Sequence, residues 1–334
     1  MLKKNIKYSF ATIHSQIAII GAGTGGVNLA AHLSRSMQLS PTCVRIFDPS
    51  KIHYYQPAFT MIGGGLCNPS VSQGKMEKMI PKLISFTNYK VDLINPEENS
   101  MITEDGTTYT FEQLVIAPGI NPNPSLIPGL KEALEDPDCP VVSIYGFKAA
   151  QKTWKYIKNF KGGKAIFTEP IAPIKCGGAP QKILFLARDT WGSKAQIEFI
   201  KSPDTVFGVK KYSDALANLH SSHGTKVSLK TSLVEVNGKE RIATFKDLVT
   251  GELIKKDFDF LHAVPPHTPH AFLSKSGLTN EAGYVDVNKF TLQHNKFQNI
   301  WGFGDCASIP TSKTAAAVMG QTPIILKNLK NAID

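Results

Sequence analysis

No CxxC pair, no second glycine-rich fingerprint and no apolar run of the roughly 18 residues needed to cross a bilayer occurs in this 334-residue sequence. The five cysteines (Cys43, Cys67, Cys139, Cys176 and Cys306) are scattered and odd in number. That excludes a disulfide scaffold or a zinc ribbon and fits a reducing compartment. No stretch interleaves clustered bases with aromatics, so the excess of 37 basic over 27 acidic residues (net charge +10) points to small anions or an acidic surface before nucleic acid. No acid precedes Asp48, while Lys3, Lys4 and Lys7 stand before Ser9, Thr12 and Ser15. Residues 1–15 therefore read as a mitochondrial presequence, although one without arginine.

What is present suits a globular chain of two domains. Hydrophobic residues make up 42% and charged residues 19%. Ile17 to Ile20 is a continuous apolar strand that enters Gly21-Ala-Gly-Thr-Gly-Gly26, after which Val27 to Met37 has helical spacing. Val44 to Phe47 is the next strand and ends on Asp48. Shorter strands follow at Val91 to Ile94 and within Met101 to Thr110, and Leu114 to Ala117 is another buried strand. Four prolines (Pro118, Pro122, Pro124, Pro128) then exclude a regular helix. A second βαβ rhythm runs from Ala149 to Ile200, with strands at Lys164 to Thr168 and Gln196 to Ile200 around a helix over Gln181 to Ala187. Ile300 to Phe303 is a late strand, and Thr314 opens a final helix. The pattern predicts an α/β protein of two Rossmann-like dinucleotide-binding domains of the FAD/NAD(P)-linked reductase type. The expected parts are 16–130 and 286–334 for the FAD domain, with 131–285 between them.

Gly21-x-Gly23-x-x-Gly26 lies between a strand and a helix, and an acid follows 22 residues after the last glycine. That context makes it a dinucleotide site. The glycines let a pyrophosphate approach the helix N-terminus, where N–H groups and the dipole favour negative charge, and Asp48 would accept from the adenosine ribose. Gly302-Phe-Gly-Asp305, again between strand and helix, resembles the second FAD motif of two-dinucleotide-domain flavoproteins. Val115-Ile-Ala-Pro-Gly119 resembles their intervening Ala-Thr-Gly motif. Together they favour FAD over NAD here, although Asp305 alone would read as a helix cap.

In the second domain the glycine loop is replaced by Pro173-Ile-Lys-Cys-Gly-Gly-Ala-Pro180. Lys175 and the Gly177-Gly178 backbone before a helix both favour a nucleophilic thiolate at Cys176. Taken without its neighbours, a lone cysteine is more often an inert core residue.

These segments carry a resemblance to the mitochondrial-type sulfide:quinone oxidoreductases over about Ile17 to Ala317. The matching runs include His53-Tyr-Tyr-Gln-Pro57, Pro173 through Lys182, Phe207-Gly-Val-Lys-Lys-Tyr212, Thr291-Leu-Gln-His294 and Gly304-Asp-Cys306 through Ala317. The resemblance implies that Gly21, Gly23, Thr24, Gly25, Gly26, Asp48, Gln56 and the Val91 backbone hold the adenosine half of FAD. It implies that Asp305 and Lys313 sit near the ribityl chain and flavin ring, where a cation stabilises the reduced anion. It further implies that hydrosulfide attacks a bridged cysteine pair that includes Cys176, leaving a persulfide. Electrons then pass through flavin to ubiquinone, and a thiol such as glutathione, or sulfite, takes the sulfur. Mitochondrial inner-membrane association is implied too.

The family's second redox cysteine and its amphipathic membrane-docking helices belong beyond the helix that begins near Thr314. No cysteine of these 334 residues matches that position. Three readings stay open: an incomplete or alternatively spliced product, a degenerate FAD-binding remnant, and replacement by another cysteine such as Cys139. The rival enzyme, an NADH:quinone dehydrogenase, needs a GxGxxG that the region from Gly162 to Gly192 lacks, and a disulfide reductase needs a CxxC. His53, His262, His267 and His270 sit among prolines in turn-like spacing, so no metal is assigned.

Overall fold

The computed structural model describes residues 12–37, 40 and 42–333. It forms two compact units, the first from residues 1–53, 74–120 and 269–334 and the second from residues 54–73 and 121–268. The leader expected over residues 1–15 lies mostly outside the described residues. From Ile13 onward it is already part of the first strand.

In chain order, β1 (Ile13–Ile20), α1 (Thr24–Ser36) and β2 (Val44–Phe47) make the first βαβ unit. After α2 (Ala58–Gly63), a visit to the second unit, the first unit resumes with β3 (Ser85–Thr87), β4 (Val91–Asn95), β5 (Ser100–Thr103) and β6 (Thr108–Ile116). The second unit follows with β7 (Val141–Val142), α3 (Phe147–Asn159), β8 (Gly163–Glu169), α4 (Ala179–Trp191), β9 (Ala195–Lys201), α5 (Lys210–Ser222) and β10 (Lys226–Ser228). It closes with β11 (Thr231–Asn237), β12 (Ile242–Asp247), β13 (Leu253–Asp257) and β14 (Phe260–His262). The chain then returns through β15 (Ile300–Gly302) and α6 (Ala315–Ile333).

The first unit's sheet runs β3-β2-β1-β6-β5-β4, with β15 also on β6. β1 pairs in parallel with β2 and β6, which is why Ile17 to Ile20 is apolar at every position and buried throughout. The stretch Met101 to Thr110 divides between β5 and the start of β6, and β6 runs on without a break into the strand expected over Leu114 to Ala117. Its early residues pair with β5 and its last with β15, while its other edge follows β1 along its length. Glu112 and Gln113 interrupt the apolar run inside β6, which is why its sequence reads as broken between Thr110 and Leu114.

The second unit's parallel sheet runs β7-β14-β8-β9-β10, and β11-β12-β13 is a separate antiparallel meander. The meander and α5 had no clear signature in the sequence. α5 has only His220 fully buried, and β13 alternates between exposed and half-buried residues. The proline stretch contains no α-helix over 118–128, only a short 3-10 turn at Pro124–Leu126 and a two-residue strand at Asn121–Pro122.

Candidate flavin and thiol sites

In the first unit, the glycine turn is packed too tightly for side chains. A Cβ on Gly26 would lie 1.8 Å from the Gly21 carbonyl oxygen, and one on Gly21 would lie 2.5 Å from that of Ala117, at a φ of +96°. Gly23, by contrast, would meet nothing within 4 Å, so open space lies at the mouth of α1. Gly23 is the N-cap, no side chain caps the helix, and its first turn carries no acid. Gly25 lies over Ala117 and Phe303. These features leave the N–H groups of the first turn, with Thr24, able to receive an anion.

Asp48 follows β2 and is locked in place. Its Oδ2 accepts from Ala22 N–H and its Oδ1 from Ser50 N–H, both at 2.8 Å. Its own backbone N–H donates to the Thr87 carbonyl, and Asn88 donates to its carbonyl. Val91 opens β4 four residues after β3 ends at Thr87. His53 heads one of the runs that resemble the family and lies in turn-like spacing. Its Nδ1 donates to the Ala22 carbonyl at 3.0 Å, which buttresses the glycine turn.

The return segment builds a second part of this unit. Gly304 N–H donates to Gln321 Oε1 of α6 at 2.8 Å, which fixes the turn that carries Asp305. Lys313 Nζ donates to the Ala307 carbonyl at 2.7 Å and lies 4.7 Å from the Tyr284 ring centroid. Burial holds the ammonium below the usual lysine range, opposed by the neighbouring Cys306 and Asp305. Cys306 is fully buried, donates to the carbonyls of Phe303 and Ile116, and is pushed up to about 12 by that burial. It is an inert core thiol.

In the second unit, Cys176 lies in the loop that leaves the C-terminal end of β8. Its φ is +55°, a left-handed conformation rare for a residue with a side chain, and its carbonyl accepts from Ala179 N–H at 2.9 Å. α4 starts at once, capped by Gly178 without a side-chain bond. Lys175 Nζ donates to Gln56 Oε1 at 2.9 Å. The structure thus places Gln56 in this unit and against the neighbour of Cys176, a link across 119 residues that no sequence spacing announced.

At the end of β9, where a dinucleotide-binding βαβ unit carries its ribose-binding acid, stands Lys201. Its side chain is 1% exposed and its Nζ lies 3.2 Å from Glu169 Oε2, an ion pair rather than a well-directed hydrogen bond. Nζ also donates to the Val206 carbonyl. Burial pushes Glu169 up and Lys201 down, each opposed by its partner's charge.

The remaining cysteines are structural in their surroundings. Cys139 is 4% exposed, with its Sγ 3.6 Å from the Gly238 carbonyl, and burial raises its thiol. Cys67 packs beside Ala58, Phe59 and Ile62, and Cys43 Sγ donates to Gln16 at 2.7 Å. Among the described residues, no group of three or more His, Cys, Asp or Glu is placed to hold a metal ion, and no helix is long and apolar enough to cross a membrane.

Residues 15–154 match the family model described as pyridine nucleotide-disulphide oxidoreductase. The chain is similar to the mitochondrial sulfide:quinone oxidoreductase of Schizosaccharomyces pombe, with 38% identity over 96% of this chain and 74% of that protein. It is 38% identical to the mouse (Mus musculus) mitochondrial protein of the same name, over 93% of this chain and 70% of that one. Its fold matches the sulfide:quinone oxidoreductase from the bacterium Aquifex aeolicus with a TM-score of 0.78, at 19% identity over 96% of this chain and 78% of that one. Fold and glycine turn together define an FAD-dependent oxidoreductase of the two-Rossmann-domain class. Within that class, the chain belongs to the sulfide:quinone oxidoreductase family, among its mitochondrial members.

Proposed function

We propose that the chain oxidises hydrogen sulfide at Cys176 and delivers the electrons to a quinone. The observation that carries this reading is the loop after β8. There a cysteine in left-handed conformation, flanked by Lys175 and followed by an uncapped helix start, stands in place of a nicotinamide loop. Buried Lys201 supports the same reading, because it puts a cation at the end of β9, where a nicotinamide-binding unit carries its ribose-binding acid.

The residues of the first unit fit FAD. The open space at Gly23 and the uncapped first turn of α1, with Gly21, Thr24, Gly25 and Gly26, would take the pyrophosphate. Asp48, fixed by two backbone N–H groups, would take the adenosine ribose, and the Val91 backbone would lie along the adenine. Asp305 and Lys313 would serve the ribityl chain and the ring. Gln56 belongs to the family's adenosine set by resemblance, and its bond to Lys175 gives it a second role. Bound FAD supplies the two-electron acceptor that couples sulfur oxidation to quinone reduction.

At Cys176, the thiolate sulfur and hydrosulfide would join in an S–S bond as a persulfide, with loss of the S–H proton and of one electron pair, for which bound FAD would be the acceptor. A thiol such as glutathione, or sulfite, then removes the outer sulfur and regenerates the thiolate. Lys175 adds local positive charge for the incoming anion. Peripheral attachment to the inner mitochondrial membrane belongs to the same proposal.

Quinone reduction by the FAD-loaded protein, with sulfide or NADH as donor, tests the reading. Sulfide-driven reduction that is lost in Cys176→Ser supports it. Reduction driven by NADH and not by sulfide returns the chain to the dehydrogenase reading.

A further inference from the structure

Three adjacent parallel strands of the second unit, in the order β7-β14-β8, release their loops at the same edge of the sheet. In open α/β sheets that carboxyl edge is where ligands bind. Tyr145 lies three residues past the end of β7, His267 five past β14 and Cys176 seven past β8. The loops are cross-tied at their roots. Ile144 N–H donates to His262 Nε2 at 3.3 Å, and Val264 N–H donates to Thr168 Oγ1 at 3.1 Å.

Tyr145 and Cys176 pack against the same buried cluster around Ile144, Phe167 and Ile183. The Tyr145 ring stands edge-on to His267, with centroids 4.9 Å apart at 78°. His267 is 8% exposed, and its Nδ1 donates to the Pro265 carbonyl at 2.9 Å, which leaves Nε2 as the acceptor nitrogen. That Nε2 and the Tyr145 hydroxyl are both buried polar atoms without a hydrogen-bond partner in the protein. One is a donor and the other an acceptor, on rings in contact, so a single small molecule with both functions could satisfy the two at once.

We infer that Tyr145 and His267 form a hydrosulfide-binding subsite at the Cys176 loop, with the phenol O–H donating to the sulfur and His267 Nε2 accepting its S–H. The inference rests on the reading of Cys176 as the sulfur-accepting residue. Hydrosulfide suits the pair because it is small and anionic, accepts at sulfur and carries a single S–H to donate. Other properties of the pair agree. Burial holds His267 down at about 4, reinforced by the Lys175 charge, so the ring is neutral and able to accept at physiological pH. Burial raises the Tyr145 phenol well above its ordinary range, and negative charge on Cys176 and Glu169 adds to that effect. The phenol therefore keeps its proton for donation.

Binding can be read without turnover. In FAD-loaded Cys176→Ala protein, anaerobic calorimetric titration with sodium hydrosulfide should show binding. Adding Tyr145→Phe or His267→Asn should weaken it about tenfold or more, the cost of one hydrogen bond to an anion. His267→Asn keeps an N–H for the Pro265 carbonyl, and Tyr145→Phe removes a single oxygen, so each checks the other if one fails to fold. Hydrosulfide binding that neither variant alters, or no binding at all, overturns the subsite. If Cys176 proves not to react with sulfide in the unsubstituted protein, the reading of that cysteine fails, while the titration still decides what Tyr145 and His267 hold.

Discussion

Lys175 Nζ donates a 2.9 Å hydrogen bond to Gln56 Oε1, which ties the residue before Cys176 to the mouth of α2. Gln56→Leu keeps the side-chain size and removes the acceptor. The bond is exposed, so its loss should cost under about 1 kcal/mol of stability. Sulfide-dependent flavin reduction should slow roughly three- to tenfold through loss of the fixed ammonium position. Stopped-flow absorbance read together with FAD content checks this. Loss of FAD at an unchanged rate per bound flavin would instead place Gln56 in adenosine binding alone.

The glycine turn offers a paired test. Gly26→Ala would force a Cβ to within 1.8 Å of the Gly21 carbonyl oxygen, whereas a Cβ at Gly23 meets nothing within 4 Å. Gly26→Ala should therefore destabilise even the apoprotein, by about 1–3 kcal/mol. Gly23→Ala should leave apoprotein melting unchanged and weaken FAD retention. Thermal melting with and without added FAD separates the two.

Thiol reactivity should follow exposure. Cys306 is fully buried and pushed up to about 12, and Cys139 is buried and raised. Both should resist maleimide in the folded protein and react only after denaturation, while the half-buried Cys43, Cys67 and Cys176 are labelled before them. Peptide mass spectrometry over a time course reads the order directly. Early labelling of Cys139 would reopen it as a redox partner.

Acid should weaken the fold through its buried histidines. His220 is 1% exposed, bonds Gln181 through Nε2 at 3.0 Å and is lowered to about 4, by burial first and then by the Lys201 and His223 charges. The unfolded chain takes up the proton near the ordinary value of about 6.5, which the native ring refuses. The unfolded state therefore binds more protons between those values, and stability present above pH 6.5 is lost as pH falls toward 4. Between pH 7 and pH 5 this one residue should account for about 2 kcal/mol. Urea denaturation of wild type and His220→Gln at both values checks it, and the variant should lose less stability on acidification.

Much of the flavin half was legible in the sequence, because a continuous apolar strand, three glycines and an acid in fixed spacing leave few physical alternatives. The cysteine loop was legible through its neighbours. What could not be read were contacts that depend on distant chain segments: Gln56 with Lys175, His53 under the glycine turn, and Tyr145 against His267. The meander and α5 were missed because their faces are too exposed to impress a period on the sequence. Lys201 has no signature in the sequence, and only the register of β8 with β9 sets it opposite Glu169.

On the proposed reading, Cys176 keeps the sulfur of sulfide while the electrons pass to FAD. Anaerobic titration of the FAD-loaded protein with sulfide, followed by mass analysis of the Cys176 peptide, tests it most directly. The expected result is bleaching of the oxidised flavin band, one added sulfur atom on that peptide, and neither change in Cys176→Ser. A flavin that NADH bleaches and sulfide does not, with the Cys176 peptide unmodified, would contradict it.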